Sequence, residues 1–366
     1  MTSSARRRPR RPPEALSERV LTLRELNRAT LARQLLLQRK RLPPAGVIEH
    51  LMGMQAQSPQ APYIGIWSRA ASFRPATLER ELERQEVVRA TLLRQTIHLV
   101  TRRDYWLIRA ALEETNHYDK SAIAKRLAPE IRRLVEREPV TTAEALAYLK
   151  EKHGLTGVNA RRAWRGARVR ANLVHSSDSA LWSTPREGYF GRYVALEEPQ
   201  AFDSLEARVE LVRRYLAAFG PASAQDFRIW AMMRMAEVKP AFDRLGTARR
   251  FRDETGRELV DVPRAPLPES ETPAPVRFLP RWDNALLAYV DRARVIPESY
   301  RKRVISMNGD VAQTFLVDGF VAGTWSYEEE RVVPKPFSKL PRDVLRELEE
   351  ERARLEAFLA GSSNRG

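Results

Sequence analysis

Apolar residues return along this chain with two rhythms, one near 3.6 residues and one of 2, and the switches between them mark its elements. The stretch LRELNRATLARQLLL sets Leu23, Leu26, Leu31 and Leu35 at helical spacing behind a Thr22/Glu25 capping box. AGVIEHLMGM pairs Val47 and Ile48 with Leu51 and Met52, which predicts a second helix. That helix cannot comfortably pass Ser58, because Pro59 pushes the residue before it out of the α region. Pro62 then opens PYIGIWSRAA, and TLERELERQ reads as a further, exposed helix. VVRATLLRQTIHLVT is rich in β-branched residues and reads as strand, so this unit is helices followed by a strand pair.

The pattern then repeats in order though not in sequence. TTAEALAYLKEKHG carries a Thr141/Glu144 capping box and a Gly154 stop, and GVNARRAWRGARVRANLV predicts the next helix. ALWSTPREGYFGRYVAL reads as strand, a turn at Pro185 and Gly188, and strand. Helix, turn, helix and β-hairpin is the order of a winged helix. LEARVELVRRYLAAFG, ASAQDFRIWAMM and AEVKPAFDRLG predict three more helices, and ARRFRDETGRELVDV a hairpin around Glu254-Thr255-Gly256. A linker at 263–275 holds five prolines. VRFLPRWDNALLAYV and VAQTFLVDGFVAGTWSYEEE read as strands, with Asp318-Gly319 as a hairpin turn. PRDVLRELEEERARLEAFLA closes as a helix with Val344, Leu348, Leu355 and Phe358 on one side.

The expected class is α+β, mainly helical, with tandem winged-helix motifs and a β-rich C-terminal portion. The expected divisions are a disordered basic arm at 1–20, winged-helix units at 21–135, 136–200 and 201–265, a β-rich part at 266–338, and a helix with tail at 339–366.

Charge changes this picture more than composition does. There are 63 Lys and Arg against 47 Asp and Glu, a net +16, which points to polyanion binding. The arm holds six arginines against two glutamates, with interleaved prolines that prevent a helix. With no cysteine, disulfides, thiolate nucleophiles and zinc–cysteine sites are all removed. No apolar run approaches the ~20 residues of a membrane span, so a soluble, cytoplasmic protein is expected. His50, His98, His117, His153 and His175 show no metal-ligand spacing, and phosphate-loop motifs are missing, so no cofactor is expected.

Three places could carry chemistry. In NARRAWRGARVR, Arg161, Arg162, Arg165, Arg168 and Arg170 occur without an acid, as on a phosphate-binding surface or on a solvated arginine face. Trp164 falls off that face and is expected in the core. Period-two alternation in LLRQTIHLV sets Arg94, Thr96 and His98 on one side, as cleft lining or as a half-exposed edge. Gln55 and Gln57 in MQAQSP share a side if the segment is extended, with Ala56 turned inward. Two amides so placed can hold a water or grip a base edge, although two polar residues in a turn would look the same.

LMGMQAQSPQAPYIGIWSR resembles the signature of the AlkZ-type DNA glycosylases. RQTIHLVTRRDYWLIRAAL, FLPRWDNALLAYVDRARVI and TFLVDGFVAGTW are similar to its later blocks, so the resemblance runs from about residue 21 to about 335. It implies tandem winged helices around a concave DNA channel, excision of N7-alkylated purines, and unhooking of interstrand crosslinks such as those of azinomycin. The family's Q-x-Q pair falls on Gln55 and Gln57, which would position the attacking water. The related YcaQ branch has Asp in place of the second Gln, so this chain sides with the AlkZ branch. No lysine is assigned, so lyase activity is not expected. The expected partner is double-stranded DNA carrying an N7-alkylpurine or crosslink, met by a monomer at the nucleoid. The competing reading is a winged-helix regulator or lesion-shielding factor without turnover.

Overall fold

The computed structural model describes residues 19–113, 115, 121–184, 191–197 and 202–363. The arm up to position 18, His117, and the turn expected at Pro185 and Gly188 lie outside the described residues. Val20, counted within the arm by its sequence, is paired. It belongs to strand β1 (Val20–Leu21), which runs parallel to Arg252 and Asp253 much further along the chain.

Thr22 caps helix α1 (Leu23–Arg33) through the expected box with Glu25. The chain leaves the helix before Leu35, which has φ 58°. The inward face of α1 is unusually polar, burying Asn27, Arg28, Thr30 and Arg33 beside Leu26 and Leu31. Helix α2 (Pro44–His50), strand β2 (Met54–Gln55), helix α3 (Ala61–Trp67) and helix α4 (Pro75–Glu83) follow. Strands β3 (Val87–Thr91) and β4 (Ile97–Thr101) form an antiparallel hairpin, and β2 pairs with the outer side of β4.

LLRQTIHLV is therefore not one strand. Leu93–Gln95 is a 3₁₀ turn in which Arg94 and Gln95 have φ 54° and 57°. The chain reverses there, and the alternation expected to align Arg94, Thr96 and His98 starts only at Ile97.

Helices α5 (Arg102–Leu112) and α6 (Ala122–Arg137), which the sequence reading did not single out, lead to α7 (Thr142–His153) and α8 (Gly157–Arg170). The Thr141/Glu144 box starts α7, and Gly154 ends it at φ 64°. Helices α6, α7 and α8 share one core, in which Leu127, Ile131, Leu149 and Trp164 meet. The strand expected near Ala180 lies earlier: β5 (Leu173–His175) pairs with β6 (Tyr193–Ala195). Asn172, at φ 53°, turns the chain straight from α8 into β5, and Ser177–Ala180 is a 3₁₀ turn. Because β5 also pairs with β3, one five-stranded sheet in the order β2-β4-β3-β5-β6 joins this helical set to the preceding hairpin.

Helices α9 (Ser204–Phe219), α10 (Ala224–Ala231) and α11 (Met235–Asp243) precede the antiparallel hairpin of β7 (Arg249–Asp253) and β8 (Glu258–Asp261), as the pattern predicted. Their aromatic core of Tyr215, Phe219, Phe227 and Trp230 is continuous with α5 and with Val88 and Val100 of the first hairpin.

Beyond an irregular stretch at 262–276, VRFLPRWDNALLAYV holds only the short strand β9 (Arg277–Leu279). Asp283 then caps helix α12 (Asn284–Leu287), which ends the expected strand reading. After helix α13 (Arg301–Val304), strands β10 (Thr314–Val317), β11 (Phe320–Glu328) and the unanticipated β12 (Arg331–Pro336) complete an antiparallel sheet in the order β12-β11-β10-β9. Asp318 and Gly319 make its tight turn with φ 48° and 83°. Helix α14 (Arg342–Ser363) packs Leu348, Leu355 and Leu359 against this sheet. Among the described residues the chain is α+β and mainly helical, with three sheets.

Candidate active site

Gly53 determines how the glutamine segment begins. It has φ 91°, and a Cβ there would meet Val100 Cγ1 at 2.7 Å. Only glycine lets the chain turn from α2 into β2 this close to β4. Asn284 Nδ2 donates to the Gly53 carbonyl at 2.6 Å, which clamps the turn from the C-terminal portion. Met54 and Gln55 then pair with Leu99 and His98, and Ala56 N–H donates to Ile97 O at 2.7 Å. The segment is strand through Gln55 and stays out of helix at Gln57, in keeping with Pro59 pushing Ser58 out of the α region. Ala56 is buried in the core formed with α2, α3 and α4. The following turn is held by Gln60 Nε2, which donates to Thr184 O at 2.6 Å.

Extended backbone brings the two amides together. Gln55 Nε2 donates to Gln57 Oε1, with Gln55 buried and Gln57 half-buried. Arg94, carried on the hairpin turn, donates from Nη2 to Gln55 Oε1 at 3.1 Å and from Nη1 to the Trp230 carbonyl at 2.8 Å. The same Nη2 lies 3.3 Å from His98 Nε2. His98 Nδ1 lies 3.0 Å from Thr96 O, which can only accept. The neutral ring therefore carries its proton on Nδ1 and turns its Nε2 lone pair to Arg94.

Arg94 has no carboxylate in its ion-pair or hydrogen-bond shell among the described residues. Burial pushes its guanidinium down to about 10, and the nearby charge of Arg292 adds to the effect. Arg292 is itself shifted down by burial, then by Arg301. The charge of Arg94 thus stands beside two neutral amides.

The sequence-selected residues divide on this geometry. Gln55, Gln57, Arg94 and His98 come together, although Arg94 arrives by a turn and not along a strand face. Thr96 instead closes the turn, its Oγ1 donating to Leu93 O at 3.1 Å. On α8, Arg161, Arg162 and Arg165 are exposed. Arg168 turns inward, donating to Tyr193 Oη and lying 5.2 Å from that ring's centroid. Trp164 is buried edge-on to the same ring. The Trp230 carbonyl and Arg292 had no sequence signal, because both reach the site from distant segments. Among the described residues, no cluster of three His, Cys, Asp or Glu could hold a metal, and no helix is long and apolar enough to cross a membrane.

The fold matches the solved structure of the Streptomyces sahachiroi DNA glycosylase AlkZ with a TM-score of 0.78, at 19% identity, covering 93% of this chain and 97% of that one. In sequence the chain is 22% identical over 352 residues to an interstrand DNA cross-link repair glycosylase of Streptomyces sahachiroi, covering 88% of this chain and 92% of the relative. Residues 48–358 match the family model described as DNA glycosylase AlkZ-like. That span holds the glutamine pair, the Arg94 turn and the C-terminal sheet, and the chain belongs to the AlkZ-like DNA glycosylase family.

Proposed function

We propose that this DNA glycosylase hydrolyses the N-glycosidic bond of N7-alkylated purines and unhooks interstrand crosslinks, with Gln55 and Gln57 positioning the attacking water. The observation that carries this reading is the side-by-side pair of neutral amides on an extended segment. N7 alkylation makes the purine a cation and already a good leaving group, so no strong acid is required. The C1′–N9 bond breaks with its electron pair going to the purine, a water oxygen bonds to C1′, and the water's proton passes to solvent. What the protein must supply is placement of that water against an oxocarbenium-like sugar, a contribution that can match the ~10²–10⁴-fold of a general base.

The same reading assigns duplex binding to a monomer whose helix-and-hairpin sets act as winged-helix units around an open channel. An open channel suits a crosslinked base, which cannot be fully flipped from the helix. Exposed Arg161, Arg162 and Arg165 on α8 would contact phosphates there.

The test uses an oligonucleotide carrying N7-methylguanine and, in parallel, one with an azinomycin-type crosslink, followed by alkali. Strand cleavage at the lesion that is lost in Gln55→Ala/Gln57→Ala is the expected result. Tight binding without cleavage by the unmodified protein would make it a shielding factor. Undiminished cleavage by the double variant would remove the glutamines from the mechanism.

A further inference from the structure

The geometry points to Arg94 as the positioning residue of this site, the group that sets which way round both glutamine amides face. The inference rests on the proposed role of Gln55 and Gln57 and deepens it. A guanidinium has donors only. With Arg94 Nη2 at 3.1 Å, Gln55 must present its carbonyl oxygen to it and its NH₂ group to Gln57. Gln57 must then turn its own carbonyl oxygen inward and its NH₂ outward. Without Arg94, each amide could flip, because the two ends of a glutamine are nearly the same size.

The resulting polarity has chemical content. Each Oε1 keeps one lone pair beyond its existing bond, and Gln57 keeps both of its N–H groups. A water that donates its hydrogens to those oxygens has its own lone pair left for C1′. Flipped amides would offer it N–H groups, tie up that lone pair, and make a poor nucleophile of it.

Two further observations separate this from a structural arginine. Arg94, half-buried, rests on three neutral acceptors, Gln55 Oε1, the Trp230 carbonyl and His98 Nε2, and among the described residues it forgoes the stabilisation of a carboxylate partner. It also occupies the first of two successive left-handed positions, φ 54° and 57°, where glycine or asparagine would be far less strained. Trp230 lies in the last turn of α10, so the guanidinium is anchored where that helix's carbonyls carry partial negative charge.

The experiment is a double-mutant cycle of Arg94→Met with Gln55→Ala, read as single-turnover base release, with lesion-DNA affinity and Tm measured for every variant. Arg94→Met is expected to slow release about 10²-fold at saturating DNA while leaving affinity within about twofold. Arg94→Lys, still a donor, should recover part of that loss. In the Gln55→Ala background, removing Arg94 should cost nothing further, because the group it orients is gone. Additive losses, an unchanged rate in Arg94→Met, or a loss confined to affinity would overturn the assignment. Should Arg94→Met not fold, Arg94→Lys takes its place in the cycle, with a smaller slowing expected and again no further cost in the Gln55→Ala background. Absence of base release by the unmodified protein would overturn the proposed reaction itself. Release that needs the glutamines but combines additively with Arg94 would overturn only this inference.

Discussion

Two arginines in this molecule are treated in opposite ways. Arg69 on α3's C-terminal side meets Asp283 in a bidentate pair at 2.7 and 2.8 Å, and its remaining N–H groups reach the Gln34 and Gly65 carbonyls at 3.0 Å. Both side chains are buried, and Asp283 also caps α12, so the pair bolts the C-terminal portion to the helical half. Arg33 and Asp261 do the same for α1 and β8, at 2.7 and 3.1 Å. Arg94 is half-buried and rests on an amide, a carbonyl and an imidazole. Where the fold needs a bracket, the charge is matched. At the proposed site, the charge is left to act on the amides.

Breaking the bracket should have the largest effect. Asp283→Ala leaves the Arg69 guanidinium buried without its counter-charge, a change that costs about 3–5 kcal/mol. A Tm drop of roughly 5–15 °C by differential scanning calorimetry is expected, and a drop under ~2 °C would show that the pair does not bolt the two halves together.

Making the site resemble the bracket sharpens the contrast in the other direction. Gln55→Glu would give Arg94 a carboxylate. The charge-assisted bond should raise Tm by a few degrees, in line with a gain of about 1–2 kcal/mol. It should also slow base release by about tenfold or more, because Gln57 must then turn its NH₂ inward. A variant that is both more stable and as fast would erase the distinction drawn between the two regions.

The smallest effect concerns a carboxylate in the mirror-image situation. Glu81 is half-buried and accepts the Ala45 N–H at 2.8 Å, with no cation in its ion-pair shell among the described residues. Burial pushes its carboxyl up to about 7, with Glu86 adding to the effect. Folding therefore favours the protonated form. The stability this group contributes is complete below its ordinary value of 4.5 and is lost as pH rises through about 7. Glu81→Gln should melt roughly a degree higher than the parent at pH 8, with the gap closing by pH 5. A gap that is constant with pH would mean that Glu81 ionises normally.

Much of this was legible because local chemistry carried it. The Thr22/Glu25 and Thr141/Glu144 boxes, the Gly154 stop and the Asp318-Gly319 turn each depend on residues within one turn of one another. The shared side of Gln55 and Gln57 was legible for the same reason, since Pro59 alone excludes helix nearby. The alternation that sets Arg94 on one side with Thr96 and His98 does not exist in the fold. The turn that actually carries Arg94 has no signature, because neither arginine nor glutamine announces a left-handed backbone. Arg168 was misjudged as part of an exposed face because its partner, Tyr193, arrives on the far strand of the next hairpin. Arg28, Arg33 and Arg69 lie inside, each against an aspartate that cancels its charge, so the arginine count alone does not measure the surface open to a polyanion.

The polar inner face of α1 has a consequence for how the chain is made. Strand β1 and helix α1 leave the ribosome early, yet β1 waits for Arg252 and Asp253, Arg33 for Asp261, and Arg28 for Asp318. At ~5–20 residues per second that wait is roughly 10–60 s. An early helix with an apolar inner face would spend the interval as a target for aggregation. One whose inner face is asparagine, arginine and threonine stays wetted until its carboxylates are synthesised. The closing of this helix onto its partners is thus keyed to charges that lie 228 and 290 residues further along the chain.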